Sequence, residues 1–91
     1  MPNVSFTTHL QRFFPTLKQG TVADGQTVAE VIRSLEKQHP GLAAYIVDER
    51  GALRKHVNIF VNDELVVDRE GLKDVVGQNT RIFIFQALSG G

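Results

Sequence analysis

No cysteine occurs in the 91 residues. That excludes disulfides, thiolate metal sites, a cysteine nucleophile and a persulfide held on the chain itself. Tryptophan is absent as well, and methionine and tyrosine occur once each. Ten Lys+Arg balance ten Asp+Glu, so no charge of either sign is left over. A zero balance argues against a surface that tracks nucleic-acid phosphates and against a polybasic membrane anchor. It also predicts that docking to any partner rests on apolar contacts and varies weakly with ionic strength. No apolar run approaches the roughly 20 residues that span a bilayer. Met1-Pro2-Asn3-Val4-Ser5-Phe6 has neither a charged n-region nor an apolar h-region. The expectation is a soluble, cytoplasmic protein with no nucleic-acid or membrane partner. Ninety-one residues support one domain, and 42% hydrophobic content can build one core without staples.

Catalytic and metal-binding patterns are also missing. His9, His39 and His56 are scattered without HxxxH or HExxH spacing, so they are read as surface or loop histidines. There is no GxxxxGK[ST] or GxGxxG to cradle a phosphate. Ser5, Ser34 and Ser89 lack a G-x-S-x-G elbow. Asp48-Glu49 and Asp63-Glu64 are adjacent carboxylates in turn-like contexts, a pattern of solvated charges and not of an acid/base pair. The chain is not expected to be an enzyme or to bind a metal or cofactor of its own.

The elements that are present have clear periods. Residues 3–10 put Val4 and Phe6 at period two and predict a strand, followed by a loop over residues 12–20 anchored by Phe13 and Phe14. Thr21-Val22-Ala23 predicts a short second strand, closed by Asp24-Gly25. Thr27-Val28-Ala29-Glu30 matches a capping box, in which hydroxyl and carboxylate each satisfy an orphan N–H. Val28, Val31, Ile32 and Leu35 then form one apolar stripe of a helix that Pro40-Gly41 stops. A short second helix is expected over residues 42–47, and a turn at Asp48-Glu49-Arg50-Gly51.

Residues 57–62 alternate strictly, and Asn62-Asp63-Glu64 turns into Leu65-Val66-Val67. A helical turn or 3₁₀ piece is expected over residues 71–76, a turn at Gly77-Gln78-Asn79-Thr80, and a last strand over residues 81–86. One good helix must bury its stripe against a single sheet face. The predicted class is therefore α+β, a roll in which a mixed four- to five-stranded sheet wraps around one main helix. Ile82-Phe83-Ile84-Phe85 is apolar on both faces, which suits a strand in the middle of the sheet.

The carboxyl end, Gln86-Ala87-Leu88-Ser89-Gly90-Gly91, stands apart. Two terminal glycines arise by chance about once in 200 chains at ordinary glycine usage. A frayed tail is the plain alternative, since terminal glycine is costly to order. Yet the segment follows directly on an apolar strand. We divide the chain into a domain over residues 1–86 and a flexible tail over residues 87–91. Such an arm, free of side chains at its tip, suits threading a terminal carboxylate through a narrow channel into another protein's active site.

The element order, the apolar last strand and the Gly-Gly terminus resemble the ubiquitin-like sulfur carriers of the ThiS/MoaD family. Leu53-Arg54-Lys55-His56-Val57-Asn58-Ile59-Phe60-Val61-Asn62-Asp63-Glu64 is similar to the CysO-type branch of that family. The molybdopterin-synthase branch often has prolines just before the tail, where this chain has Gln86-Ala87. The resemblance implies a β-grasp (ubiquitin-like) fold. It implies that the Gly91 carboxylate is adenylylated by an E1-like adenylyltransferase/sulfurtransferase, using ATP and Mg²⁺ held by that partner, and converted to a thiocarboxylate. Gly90 and Ser89 would thread the channel, and a Cβ at position 90 would crowd it.

The sulfur would pass to an accepting synthase, one like cysteine synthase or the large subunit of molybdopterin synthase. A JAMM-type metalloprotease is a further implied partner. The outlet favoured is cysteine or other sulfur-metabolite biosynthesis. The alternatives are a molybdopterin synthase small subunit and a ubiquitin-like protein modifier joined to lysines.

Alternation also places a docking surface. Val57, Ile59 and Val61 share one face with Ile82 and Ile84, and this branched set matches the helix stripe. Phe60, Phe83 and Phe85 are left on the face that the helix does not cover, where an aromatic patch marks a protein-binding site. By resemblance, Phe85 and Leu88 fall where the family presents apolar residues to its enzymes. The alternative is a satellite core in which the loop of Phe13 and Phe14 folds over the three rings.

Overall fold

The computed structural model describes residues 1–17 and 20–86. β1 (Asn3–Phe6) is shorter than the alternation predicts. After Thr7 the chain turns into α1 (Thr8–Phe13), where a strand end and a loop are expected from sequence. The physical reason lies in a second period: Leu10, Phe13, Phe14 and Leu17 recur at i, i+3, i+4 and i+7, one face of a helical turn. Leu10 and Leu17 are buried, and Phe14 packs partly against the core.

β2 (Thr21–Val22) returns antiparallel to β1, with Val4 opposite Thr21. α2 (Val28–Gln38) is the main helix, and all four stripe residues, Val28, Val31, Ile32 and Leu35, are buried. Thr27 caps it by accepting from the Glu30 N–H at 3.3 Å. The returning carboxylate of Glu30 accepts from Gln26 N–H at 3.0 Å, one residue before the N–H that the capping box assigns. Such a cap stabilises a helix by about 1 kcal/mol.

α3 (Ala43–Ile46) is the short second helix. Glu36 in α2 collects the N–H groups of Gly41 and Ala43, both at 2.9 Å, and so fixes the entry to α3. β3 (Val57–Val61) and β4 (Glu64–Leu65) form a hairpin through Asn62 and Asp63. Both loop residues have positive φ, 49° and 71°. A two-residue loop left-handed at both positions matches the right-handed twist of the strands it joins, and Asn tolerates it well. The strand expected over Leu65-Val66-Val67 therefore starts and ends earlier. Val66 still donates its N–H to the Ile59 carbonyl at 2.8 Å while its side chain enters the core, and Val67 is exposed.

The helical turn expected over residues 71–76 does not form. Asp68 draws in the N–H groups of Gly71 and Lys73, and Asp74 those of Val67 and Asp68. The carbonyls of Asp74 and Leu72 accept from the first α2 residues, Val28 (3.1 Å) and Ala29 (2.9 Å). This segment thus spends its polar groups on closing itself and on the open end of α2. The turn at Gly77 forms as expected, with Thr80 N–H donating to the Gly77 carbonyl at 3.2 Å.

β5 (Arg81–Gln86) closes the sheet in the order β2-β1-β5-β3-β4. It runs parallel to β1 and antiparallel to β3, with Ile84 between Phe6 and Ile59. The last strand is thus central, as its two apolar faces predict. Val4, Phe6, Val57, Ile59, Ile82 and Ile84 on one sheet face and the α2 stripe belong to a single core cluster. A five-stranded mixed sheet over one main helix is the β-grasp arrangement. Among the described residues no helix is long and apolar enough to cross a membrane.

Three carboxylates, Glu36 of α2 and Asp48 and Asp68 in loops, titrate below their ordinary range because backbone N–H groups bond the charged form. Gly41 and then Ala43 hold Glu36 down, Ala52 holds Asp48 down, and Gly71 and Lys73 hold Asp68 down. A carboxyl whose pKa is lowered by folding contributes stability that is complete above its unfolded pKa, about 4. That stability is lost as pH falls through the lowered value. The melting temperature should therefore be flat from about pH 7 to 5 and fall below about pH 4. Glu36→Gln should take away part of that fall. Thermal melts across this range check it, and an acid profile identical in the variant contradicts the role given to Glu36.

Candidate functional site

Strict alternation in β5 sorts its side chains onto two faces. Ile82, Ile84 and Gln86 are buried, while Arg81, Phe83 (36% exposed) and Phe85 (41% exposed) face away from the core. Phe83 lies opposite Phe60 of β3, their ring centroids 6.3 Å apart, and Phe83 and Phe85 are 6.4 Å apart along the strand. The three phenylalanines expected on one face are thus brought together on it.

Leu65, more than half exposed, pairs with Phe60 in the β3–β4 ladder and extends the row across the sheet. The sequence puts Leu65 in a strand but does not pair it with Phe60, because the register follows from the two-residue Asn62-Asp63 loop. A shallow depression of about 220 Å³ lies beside Phe60 and Phe83, floored by Asn3 and Ser5.

The loop of Phe13 and Phe14 does not cover these rings. Phe13 stacks on Tyr45 with centroids 5.3 Å apart, and Phe14 meets the same ring edge-on at 5.4 Å. The satellite-core alternative is therefore excluded: those aromatics seat α1 on α3 instead.

The aromatic row runs toward the end of β5. Val57, the first residue of β3, pairs with Gln86, and Asn58 with Phe85. At the other end, Asn62 receives the Arg81 N–H on its side-chain oxygen at 2.9 Å, and Asp63 pairs with the Arg81 guanidinium at 2.9 Å. Leu88, Ser89, Gly90 and Gly91, together with the tail assigned to residues 87–91, lie outside the described residues. Five residues span at most about 18 Å when fully extended.

Among the described residues no group of three or more His, Asp or Glu could hold a metal. His39 is largely buried and shares a hydrogen bond with the Thr16 hydroxyl at 3.1 Å, which ties the loop after α1 to the end of α2. An apolar cavity of about 370 Å³ opens between α2 and α3, over Ile32, Ala43, Val47 and Leu72. Its one carboxylate, Glu36, is already taken by Gly41 and Ala43.

Relatives with the same architecture are known. In the solved complex of BexX and CysO from Amycolatopsis orientalis, a chain superposes with a TM-score of 0.86 at 33% identity, with both chains covered completely. Sulfur carrier protein CysO of Mycobacterium tuberculosis is 35% identical over 71 residues, 76% of each chain. Small archaeal modifier protein 3 of Haloferax volcanii is 31% identical over 88 residues, 88% of this chain and 95% of that one. By name these relatives are a sulfur carrier and a small modifier protein. The sequence profile of the ThiS family matches residues 4–91. With that match, the β-grasp sheet and these relatives in hand, the chain belongs to the ThiS family of ubiquitin-like sulfur carriers and modifiers.

Proposed function

We propose that this protein is a sulfur carrier whose cargo is a thiocarboxylate at Gly91, formed and used by partner enzymes. The observation that carries the reading is the outer row of Phe60, Phe83 and Phe85, which ends one residue before Gln86. A partner docked on that row stands within reach of everything that follows it. Relatives called sulfur carriers and one solved together with a second protein support the assignment.

The chemistry balances without help from the chain's side chains. The Gly91 carboxylate, ionised at neutral pH, attacks the α-phosphorus of ATP, and pyrophosphate leaves as the bond between the α- and β-phosphates breaks. The acyl-adenylate replaces oxide, a poor leaving group, with AMP. A sulfide sulfur then attacks the acyl carbon, the carbon–oxygen bond to AMP breaks, and loss of the S–H proton leaves the thiocarboxylate. A persulfide donor gives an acyl disulfide instead, which a second thiol of the partner cleaves to the thiocarboxylate, the two partner sulfurs leaving as a disulfide. Mg²⁺ and cationic groups on the E1-like enzyme would neutralise the charge on the reacting phosphates. Gly90 lets the backbone pass a channel that a Cβ would obstruct, and Ser89 and Leu88 make the approach. The acceptor we favour is a cysteine-synthase-like enzyme making cysteine or a related sulfur metabolite.

A second reading has one observation in its favour. Similarity to an archaeal modifier protein supports joining the Gly91 carbonyl to lysines, a reaction that starts from the same adenylate. Incubation with ATP, Mg²⁺, the activating enzyme and a sulfur source separates the two. Sulfur loading raises the mass of the free chain, whereas conjugation gives lysine-linked adducts and leaves no sulfur on it.

A further inference from the structure

The two ends of the aromatic row differ in charge. Beyond Phe60 and Phe83, the Arg81 guanidinium is neutralised by Asp63 at 2.9 Å. At the end from which the chain leaves β5 stands another guanidinium, that of half-buried Arg69, and among the described residues it has no carboxylate. It donates to Asn58 Oδ1 at 2.7 Å and to the carbonyls of Arg54 (2.8 Å) and Val57 (3.0 Å). Among the described residues the ion pairs are Arg50–Asp48 and Arg81–Asp63.

Three neutral acceptors take three of its five N–H donors, which orients the fork but leaves the charge uncompensated. Asn58, which holds it, lies directly across from Phe85. Lys55 and His56 are exposed beside it, on the turn that enters β3. The depression they share is lined by four cations, Arg50, Arg54, Lys55 and Arg69, against two carboxylates, Asp48 and Glu70. Asp48 is spent on Arg50 and on the N–H groups of Arg50 and Ala52.

We propose that this rim, centred on Arg69 with Lys55 and His56 beside it, receives carboxylates on the docking surface of the activating enzyme. The proposal rests on the sulfur-carrier reading and adds the chemistry of the partner's surface. The chain's charge sums to zero, but it is not evenly spread: cations gather near the end of β5. An acidic partner surface would form charge-assisted bonds with a fork that the fold has already oriented, while its apolar part covers the phenylalanines. On this proposal binding depends more steeply on salt than net charge alone predicts.

The test measures the carrier concentration that half-saturates ATP-dependent sulfur loading, read by intact mass, between about 50 and 300 mM NaCl. Wild type should need roughly tenfold more carrier at the upper salt. Lys55→Gln, an exposed substitution, and Arg69→Gln should each raise half-saturation about three- to tenfold at low salt and flatten the salt dependence. Arg33→Gln, on the helix side, should behave as wild type.

Arg69→Lys separates charge from clamp: it should lower the melting temperature as Arg69→Gln does, yet keep more of the salt dependence. Equal salt slopes in wild type, Lys55→Gln and Arg69→Gln would overturn the rim, with Arg69 then only a strap on the Arg54 and Val57 carbonyls. Loading that proceeds with no salt dependence overturns the rim alone. No mass gain in wild type at any salt removes the carrier reading, and the rim with it.

Discussion

Deleting Gly91 should abolish ATP-dependent sulfur loading and leave the melting temperature unchanged. The reasoning is geometric. One residue of extended chain is about 3.3–3.6 Å, so a chain ending at Gly90 presents its carboxylate that far short of the ATP α-phosphorus. Reaction requires the attacking atom within about 3–3.5 Å and in line, and an error of even 1 Å costs about 100-fold. Sliding the whole domain forward would drive the aromatic row into the partner's surface. Stability should not respond, because the core cluster lies wholly between Val4 and Ile84. Loading measured on the deletion, with a thermal melt of the same sample, checks both halves. Loading at the wild-type rate would place the reactive carbonyl elsewhere.

The second large effect comes from two neighbours on β5 with opposite duties. Ile84 is fully buried between Phe6 and Ile59, and Phe85 beside it is 41% exposed on the other face. Ile84→Ala removes packed methyl groups and leaves a cavity, at a cost of about 2–5 kcal/mol. For a domain of this size that lowers the melting temperature on the order of 10–30 °C. Phe85→Ala should cost little stability and weaken partner binding by at least ~1–2 kcal/mol, roughly 5- to 30-fold. Calorimetric melts and a binding titration on both variants read the contrast. A Phe85→Ala chain that unfolds but keeps its affinity per folded molecule would invert the two faces.

Much of this face was legible before any coordinates. Period two in residues 57–61 and 81–86 assigned Ile59 and Ile84 to the core and Phe60, Phe83 and Phe85 to the outside, because alternation is a local rule that the sheet only has to respect. The stripe of α2 and its Thr27 cap were legible for the same reason. What escaped depends on partners far along the chain or on two overlapping periods. Leu10 satisfies both the strand alternation from Val4 and the helical spacing to Leu17, and the helix prevails once Thr7 donates its N–H to Ile84 at 3.2 Å and leaves the strand.

Residues 71–76 read as a helical turn, but their carbonyls serve α2, some 45 positions earlier in the chain, as the Asp74-to-Val28 bond shows. Arg69 could not be singled out either. Its meaning comes from Asn58 and from the absence, among the described residues, of a carboxylate paired with it, and neither is visible in a sequence whose charges merely sum to zero.

The central claim is that sulfur rides on the Gly91 carbonyl, and intact-mass spectrometry of the loaded chain addresses it most directly. The chain would be incubated with ATP, Mg²⁺, its activating enzyme and sulfide or a persulfide donor, then weighed without digestion. Exchange of one carboxyl oxygen for sulfur should add about 16 Da, only when ATP is present and only while Gly91 is. Fragmentation should place the added mass on the terminal glycine. A mass that never moves with a competent activating enzyme, or an ATP-dependent gain mapped to any residue other than Gly91, would contradict the account.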